Sequence, residues 1–151
     1  MITLLAVGKK HEDWISLGLE RYSKRMKRPW NTEWVFVPHS AVNGQRARDE
    51  ESETILSRLK PDDYVIVLDE RGKLLDSPAL SEQLLARLES SRHVVIIIGG
   101  AYGVNDRLIS RADLLWSLSP LVFPHQLVRL ILIEQLYRSQ EIALGNPYHH
   151  A

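Results

Sequence analysis

The sequence predicts an α/β domain: a mainly parallel sheet with helices on both faces. Short apolar runs alternate with longer helical patterns along the whole chain, which is the signature of strand–helix–strand units. The most hydrophobic run, residues 93–98, shows no polar alternation after His93, as expected for a central parallel strand covered on both faces. Residues 126–141 form a helix whose Leu127, Val128, Leu130, Ile131, Leu132, Ile133, Leu136 and Tyr137 scatter round the whole circumference, so it must be buried on more than one side: one face on the sheet and the other against a second subunit, or as the central helix of a monomer. At 151 residues the chain is expected to be one domain, 1–151, with a core that needs no covalent staples.

The elements follow in order. Residues 2–7 are a buried strand, and residues 12–27 a helix with Trp14, Ile15, Leu17, Leu19, Tyr22 and Met26 facing inward. Residues 33–37 are a second strand closed by Pro38. Residues 42–58 are a charged helix held by Ile55, Leu56 and Leu59, ended by the turn Lys60-Pro61-Asp62-Asp63. A third strand over 64–68 precedes a helix near 77–88 that buries Leu80, Leu84, Leu85 and Leu88. After the 93–98 strand come a glycine loop, a short helix at about 105–112 and a final strand over 114–118.

Composition removes several classes of function. There is no cysteine, which excludes disulfides, thiolate metal sites and cysteine nucleophiles. His11, His39, His93, His125, His149 and His150 show no HExxH or comparable spacing, so no metal is expected. Arg129 and Glu134 interrupt an apolar stretch already shorter than the roughly 20 residues of a membrane span. The opening MITLLAVGKK places its lysines after its apolar run, the reverse of a secretory signal, and leads to the expectation of a cytoplasmic protein. Lysine plus arginine balance aspartate plus glutamate at 19 each, so net charge does not argue for nucleic acid. Arg21, Lys24, Arg25, Lys27 and Arg28 nevertheless crowd the end of the first helix, and Lys9 and Lys10 follow the first strand, either as a solvated helix end or as a contact for RNA phosphates.

Ligands of open α/β sheets bind outside the carboxyl ends of the strands, which directs attention to three loops. Leu68-Asp69-Glu70-Arg71-Gly72-Lys73 is a charged turn. Ile98-Gly99-Gly100-Ala101-Tyr102-Gly103 lets a ligand approach the backbone or makes a tight turn, and lacks the spacing of dinucleotide and nucleoside triphosphate loops. Ser117 to His125 is an apolar loop held between Pro120 and Pro124, suited to walling a flat aromatic group such as adenine. No serine sits in a GxSxG elbow, and Arg138, Tyr148, His149 and His150 are expected near this pocket.

These loops, together with Phe123-Pro124-His125-Gln126-Leu127-Val128-Arg129, Glu134-Gln135-Leu136-Tyr137-Arg138 and Asn146-Pro147-Tyr148-His149-His150, resemble the ribosomal RNA large subunit methyltransferase H family, RlmH. The similarity covers essentially the whole chain and is most specific at the C-terminus. It implies a SPOUT-type fold with a C-terminal trefoil knot, a homodimer, and S-adenosyl-L-methionine as cofactor. General topology rules count knots as essentially absent, so the knot is implied by the resemblance alone. The implied reaction is methylation of N3 of a pseudouridine in large-subunit rRNA within the assembled ribosome. Leu68, Gly100, Ser119, Pro120, Leu121, Val122, Phe123 and Pro124 match the family's cofactor-binding positions. His149 is the candidate base, Tyr148 the candidate for positioning the nucleotide, and Arg138 the candidate for holding a phosphate or a developing anion. Arg138 also lies four residues after Glu134, the spacing of an ordinary helix ion pair. Another SPOUT activity, or a ribosome-binding factor without turnover, is the alternative.

Overall fold

The computed structural model describes residues 1–150. Strands β1 (Ile2–Val7), β2 (Thr32–Val37), β3 (Tyr64–Leu74), β4 (Val94–Ile98) and β5 (Leu114–Ser117) form one sheet in the order β2-β1-β4-β3-β5. All of its neighbouring strands run parallel, with Leu4 opposite both Trp34 and Ile96, and Val67 opposite both Ile97 and Leu115. Every residue of β1 and β4 is buried, because both strands are central and covered on both faces.

Side-chain alternation divides the core in two. Leu4, Ala6, Ile66, Ile96 and Ile98 pack on one face against helices α1 (Asp13–Ser23), α3 (Ser77–Glu89) and α5 (His125–Ala143). Leu5, Val7, Val65, Val67, Val95 and Ile97 pack on the other against α2 (Gly44–Arg58) and the short α4 (Asp106–Arg111), through Ile55 and Leu108. Asp76 caps α3 by accepting a hydrogen bond from Ala79 N, and Asn105 caps α4 by accepting one from Leu108 N.

Helix α5 is buried on several sides, as expected, but by the sheet, α1 and α3 of its own chain and not by the second subunit that its apolar pattern suggested for one face. Leu132, Ile133 and Leu136 are fully buried in the core beneath it. On one flank Leu130 fills the space left by Gly18 of α1, where a Cβ would stand 2.8 Å from its Cδ1. On the other, Ser81 of α3 donates to Ser139 O at 2.7 Å, and Ser77 donates to Gln135 Oε1 at 2.7 Å. Leu127 and Ile131 stay half-buried on the outward side.

Two expectations need correction. Helix α1 ends at Ser23, not residue 27, and only Ile15 and Leu19 of the expected set are fully buried. Tyr22 and Met26 are packed at the edge of the core, whereas Trp14 and Leu17 point outward with 56% and 70% exposure. The short helix presents one apolar stripe to the sheet and a second to solvent. Strand β3 also continues past Leu68 to Leu74. Trp116 pairs with both Leu68 and Lys73, so the charged residues between them bulge out of the ladder. Gly72 lies so close to β5 that a Cβ there would be 2.6 Å from the Leu115 carbonyl carbon.

Candidate cofactor pocket and C-terminal cluster

A cavity of about 720 Å³ opens at the carboxyl ends of β1, β3, β4 and β5, where the sheet topology places a ligand. Of the residues expected to bind cofactor, Leu68, Gly100, Ser119, Leu121, Val122 and Phe123 line it. Pro120 and Pro124 are not in the lining and shape the loop instead. Pro124 is the N-cap of α5, and its carbonyl accepts from Val128 N at 3.0 Å. Within the loop, Ser117 Oγ donates to Ser119 O at 3.2 Å, and Ser119 Oγ accepts from Leu121 N at 3.0 Å. These bonds hold Leu121 and Val122 out of the core, at 70% and 85% exposure.

The glycine loop combines both readings drawn from its sequence. Gly103 N donates to Gly100 O at 3.0 Å, and Gly103 has φ +76°, so the loop is a tight turn. A Cβ on Gly100 would stand 2.6 Å from Glu51 Oε1, so the loop also needs glycine to pack over a buried carboxylate. The other oxygen of that carboxylate accepts from Ser40 N at 2.9 Å, tying the loop after β2 to α2. Asp69 accepts from Arg71 N, Nε and Nη2 at 2.9, 2.8 and 3.0 Å. The Arg71 guanidinium holds this carboxyl below the usual range, against the opposing effect of burial.

Sequence reasoning missed the polar half of the cavity. Gly8, Lys9, Lys10, His11, His39, His125 and Arg129 line it, around the end of β1 and the first turn of α5. His125 lies 3.1 Å from Gly99 O through Nε2. Arg129 is fully buried; its Nη1 donates to Lys9 O at 2.9 Å and lies 3.2 Å from His11 Nδ1. Burial, reinforced by the Arg129 charge, pushes His11 down to about 4, and the same two causes lower His125. His11 is therefore a neutral ring near pH 7, set beside a permanent cation. The available signal was Arg129 itself, a single arginine inside an otherwise apolar helix.

The C-terminal candidates come together in a second place. Glu134 Oε1 accepts from Arg138 Nε and Nη2 at 3.0 and 2.6 Å. Arg138 Nη1 lies 3.2 Å from His149 Nδ1, and the guanidinium stands 4.8 Å from the Tyr148 ring centroid. Tyr148 donates to Glu134 Oε1 at 3.2 Å and meets Tyr137 edge to face. Burial and then the Glu134 charge push the Tyr148 phenol up to about 12, so it is a donor and not a base near neutral pH. The basic segment after α1 adjoins this cluster: Gln140 Oε1 accepts from Lys27 N at 2.6 Å, and its Nε2 donates to Arg25 O at 3.1 Å. His150 is exposed.

The two places are far apart within one chain. Arg138, Tyr148 and His149 are all absent from the cavity lining, whereas His125 is in it. Arg138 lies thirteen residues along α5 from His125, a separation of roughly 20 Å at the helical rise. Among the described residues no group of three or more histidines and carboxylates is placed to hold a metal ion, and no helix is long and apolar enough to cross a membrane.

The parallel sheet with an apolar pocket at its strand ends belongs to the α/β class, and the family model described as "Predicted SPOUT methyltransferase" matches residues 1–149, which makes the chain a SPOUT-type methyltransferase. The fold is shared by a methylase-family protein from Haemophilus influenzae Rd KW20, with TM-score 0.59 and 12% identity over 99% of this chain and 70% of that one. A methylase-family protein from Neisseria gonorrhoeae shares it with TM-score 0.56 and 15% identity over 99% of this chain and 85% of that one. Much closer in sequence is the ribosomal RNA large subunit methyltransferase H of Acetivibrio thermocellus, 40% identical over 98% of both chains. The protein of that name from Alkalilimnicola ehrlichii is 39% identical over 99% of both. The chain belongs to the ribosomal RNA large subunit methyltransferase H family of SPOUT methyltransferases.

Proposed function

We propose that this protein methylates N3 of a pseudouridine in 23S rRNA on the assembled ribosome, using S-adenosyl-L-methionine, as a cytoplasmic homodimer with the knotted C-terminus of its class. The observation that supports this most is the full-length similarity to large-subunit rRNA methyltransferases, together with a pocket whose chemistry suits the donor.

The residues present fit S-adenosyl-L-methionine. Leu68, Leu118, Leu121, Val122 and Phe123 offer apolar faces for adenine, and the side-chain-free backbone at Gly99 and Gly100 leaves room for close approach. Arg129, buried with two nitrogens unpaired, adds a positive wall at the opposite end. When bound, the donor supplies a sulfonium methyl group for in-line displacement. The protein's part is then to align donor and acceptor and exclude water.

The uracil-type imide must lose its N3 proton to become a nucleophile. His149 is the proposed acceptor of that proton: its Nδ1 lone pair is held by Arg138 Nη1 at 3.2 Å, so it takes the proton at Nδ1 once that contact is released, which frees the Arg138 charge for the developing anion. Tyr148 offers a ring for stacking and keeps Glu134 and Arg138 in register. The basic residues Arg25 and Lys27 lie next to this cluster and extend it as a surface for RNA phosphates.

Because the pocket and the tail lie at opposite ends of α5, the proposed active site is composite: the tail of one subunit serves the pocket of its partner. The apolar surface available for such a partner includes Trp14 and Leu17 on α1, Leu121 and Val122 on the pocket loop, and half-buried Leu127 and Ile131 on α5. Calorimetric titration with S-adenosyl-L-methionine tests the donor assignment. Saturable binding of one donor per pocket is expected, and no binding would refute it.

A further inference from the structure

Arg129 is the largest fully buried side chain among the described residues, and three of its five N–H donors, on Nε and Nη2, are unused. Nη1 is engaged by Lys9 O and His11 Nδ1, while Nε and Nη2 have no partner in the protein. Those two nitrogens form one edge of the guanidinium, with parallel N–H bonds, the geometry that grips a carboxylate with two hydrogen bonds. Leaving a charged fork buried and unpaired is costly, so its retention beside a cavity calls for an occupant. The Phe36 ring, 5.3 Å from the guanidinium carbon, offers a cation–π contact and no acceptor. Glu12 is the carboxylate whose charge reaches Arg129, and it is exposed.

The surroundings favour an anion at this edge. Gly8 has φ +125°, and a Cβ there would stand 3.5 Å from Arg129 Nη2 and 3.1 Å from His39 Nε2. The missing side chain lets His39 and the Nη2 end of the fork close directly over this backbone, so a ligand reaches the fork by displacing His39 and not a side chain of residue 8. Helix α5 begins at His125, so its amide-rich end adds positive potential to the same wall. Lys9 and Lys10 add positive charge to this lining; of its carboxylates Asp69 is held by Arg71, and Glu12 acts on Arg129 only through its charge.

We infer that the Nε–Nη2 edge of Arg129, with the backbone of Gly8, is a subsite for the carboxylate of the methyl donor's amino-acid portion. This deepens the donor assignment and rests on it. The apolar walls from Leu68 and Phe123 lie at the ends of β3 and β5, and Gly8 follows β1. Two to three strand spacings separate them, about 10–15 Å, the length needed by a ligand with adenine at one end and an amino acid at the other. An RNA backbone phosphate is a poorer occupant, because it would have to carry a polynucleotide into the cavity that Arg129 lines.

The test is calorimetry on the full chain with three ligands: S-adenosyl-L-methionine, its decarboxylated form, and 5′-methylthioadenosine. The wild-type protein should bind the first at least about tenfold more tightly than the second, as loss of a charge-assisted bidentate contact predicts. Arg129→Gln should abolish that preference and leave 5′-methylthioadenosine binding unchanged; Arg129→Lys, which keeps the charge without the fork, should retain only part of it. Equal affinity of the wild-type protein for the first two ligands overturns the inference without any variant. So does a preference that survives in Arg129→Gln, or a variant whose only change is weaker binding of rRNA. Failure of all three ligands to bind would instead bring down the donor assignment itself.

Discussion

A composite active site makes a quantitative prediction for mixed subunits. The tail cluster at Arg138 lies roughly 20 Å along α5 from the pocket residue His125, and reacting atoms must approach to about 3–3.5 Å, so one chain cannot join its own tail to its own pocket. Gly100→Val should disable the pocket by displacing the glycine loop, since even a Cβ there would stand 2.6 Å from Glu51 Oε1 and 3.1 Å from Val7 Cγ1. His149→Ala should disable the tail. Each homodimer is then inactive. In an equal mixture with random pairing, half of the dimers are mixed, and each mixed dimer has one site with an intact pocket and an intact partner tail. Turnover should recover to about a quarter of the wild-type value per subunit. The assay is transfer of a tritium-labelled methyl group to ribosomes, with subunit exchange verified by native mass spectrometry. No recovery despite verified mixed dimers would refute the composite site.

Three further outcomes follow from the same structure. Leu136→Ala removes a fully buried side chain from the face of α5 on the sheet and should lower unfolding free energy by about 2–5 kcal/mol, measured by urea denaturation. His149→Ala alone should leave donor affinity unchanged and slow methyl transfer by about 10²–10⁴-fold in single-turnover kinetics, as loss of a general base predicts. His11 titrates near 4 in the folded protein and near 6.5 unfolded, so the unfolded chain takes up its proton first as pH falls. Its contribution to stability is complete above 6.5 and is lost between about 6.5 and 4; urea midpoints compared at pH 7 and pH 5 should show a drop that His11→Asn reduces.

Much of the fold was legible because local pattern and tertiary environment agree. The uninterrupted apolar letters of β4 and β1 correspond to strands buried on both faces, and the all-round apolar surface of α5 corresponds to contacts with the sheet, α1 and α3. The misread elements depend on partners distant in sequence. Lys73 and Leu74 look like the end of a charged turn, yet they pair with Trp116 and Ser117 of β5, some forty residues later. Trp14 and Leu17 look like core residues because hydrophobicity alone does not say which side of a short helix meets the sheet.

The candidate site divided in the same way. Its apolar half was legible because prolines, glycines and exposed-loop hydrophobics are unusual together in one strand-end loop. Its polar half draws on the ends of β1 and β2 and on one arginine of α5, and only the folded sheet brings them to one cavity. The C-terminal cluster formed as a unit, but the length of α5 keeps it away from the pocket.

Methylation of N3 of a pseudouridine in the large-subunit rRNA, as proposed, can be read directly from the modified nucleotide. Ribosomes from a strain lacking the enzyme would be treated with this protein and S-adenosyl-L-methionine, and the rRNA then digested and mapped by mass spectrometry. The account predicts one added methyl group, on N3 of one pseudouridine of 23S rRNA, in assembled ribosomes. A methyl group on a ribose 2′-oxygen or another base nitrogen, or no methyl group despite donor binding, would contradict it.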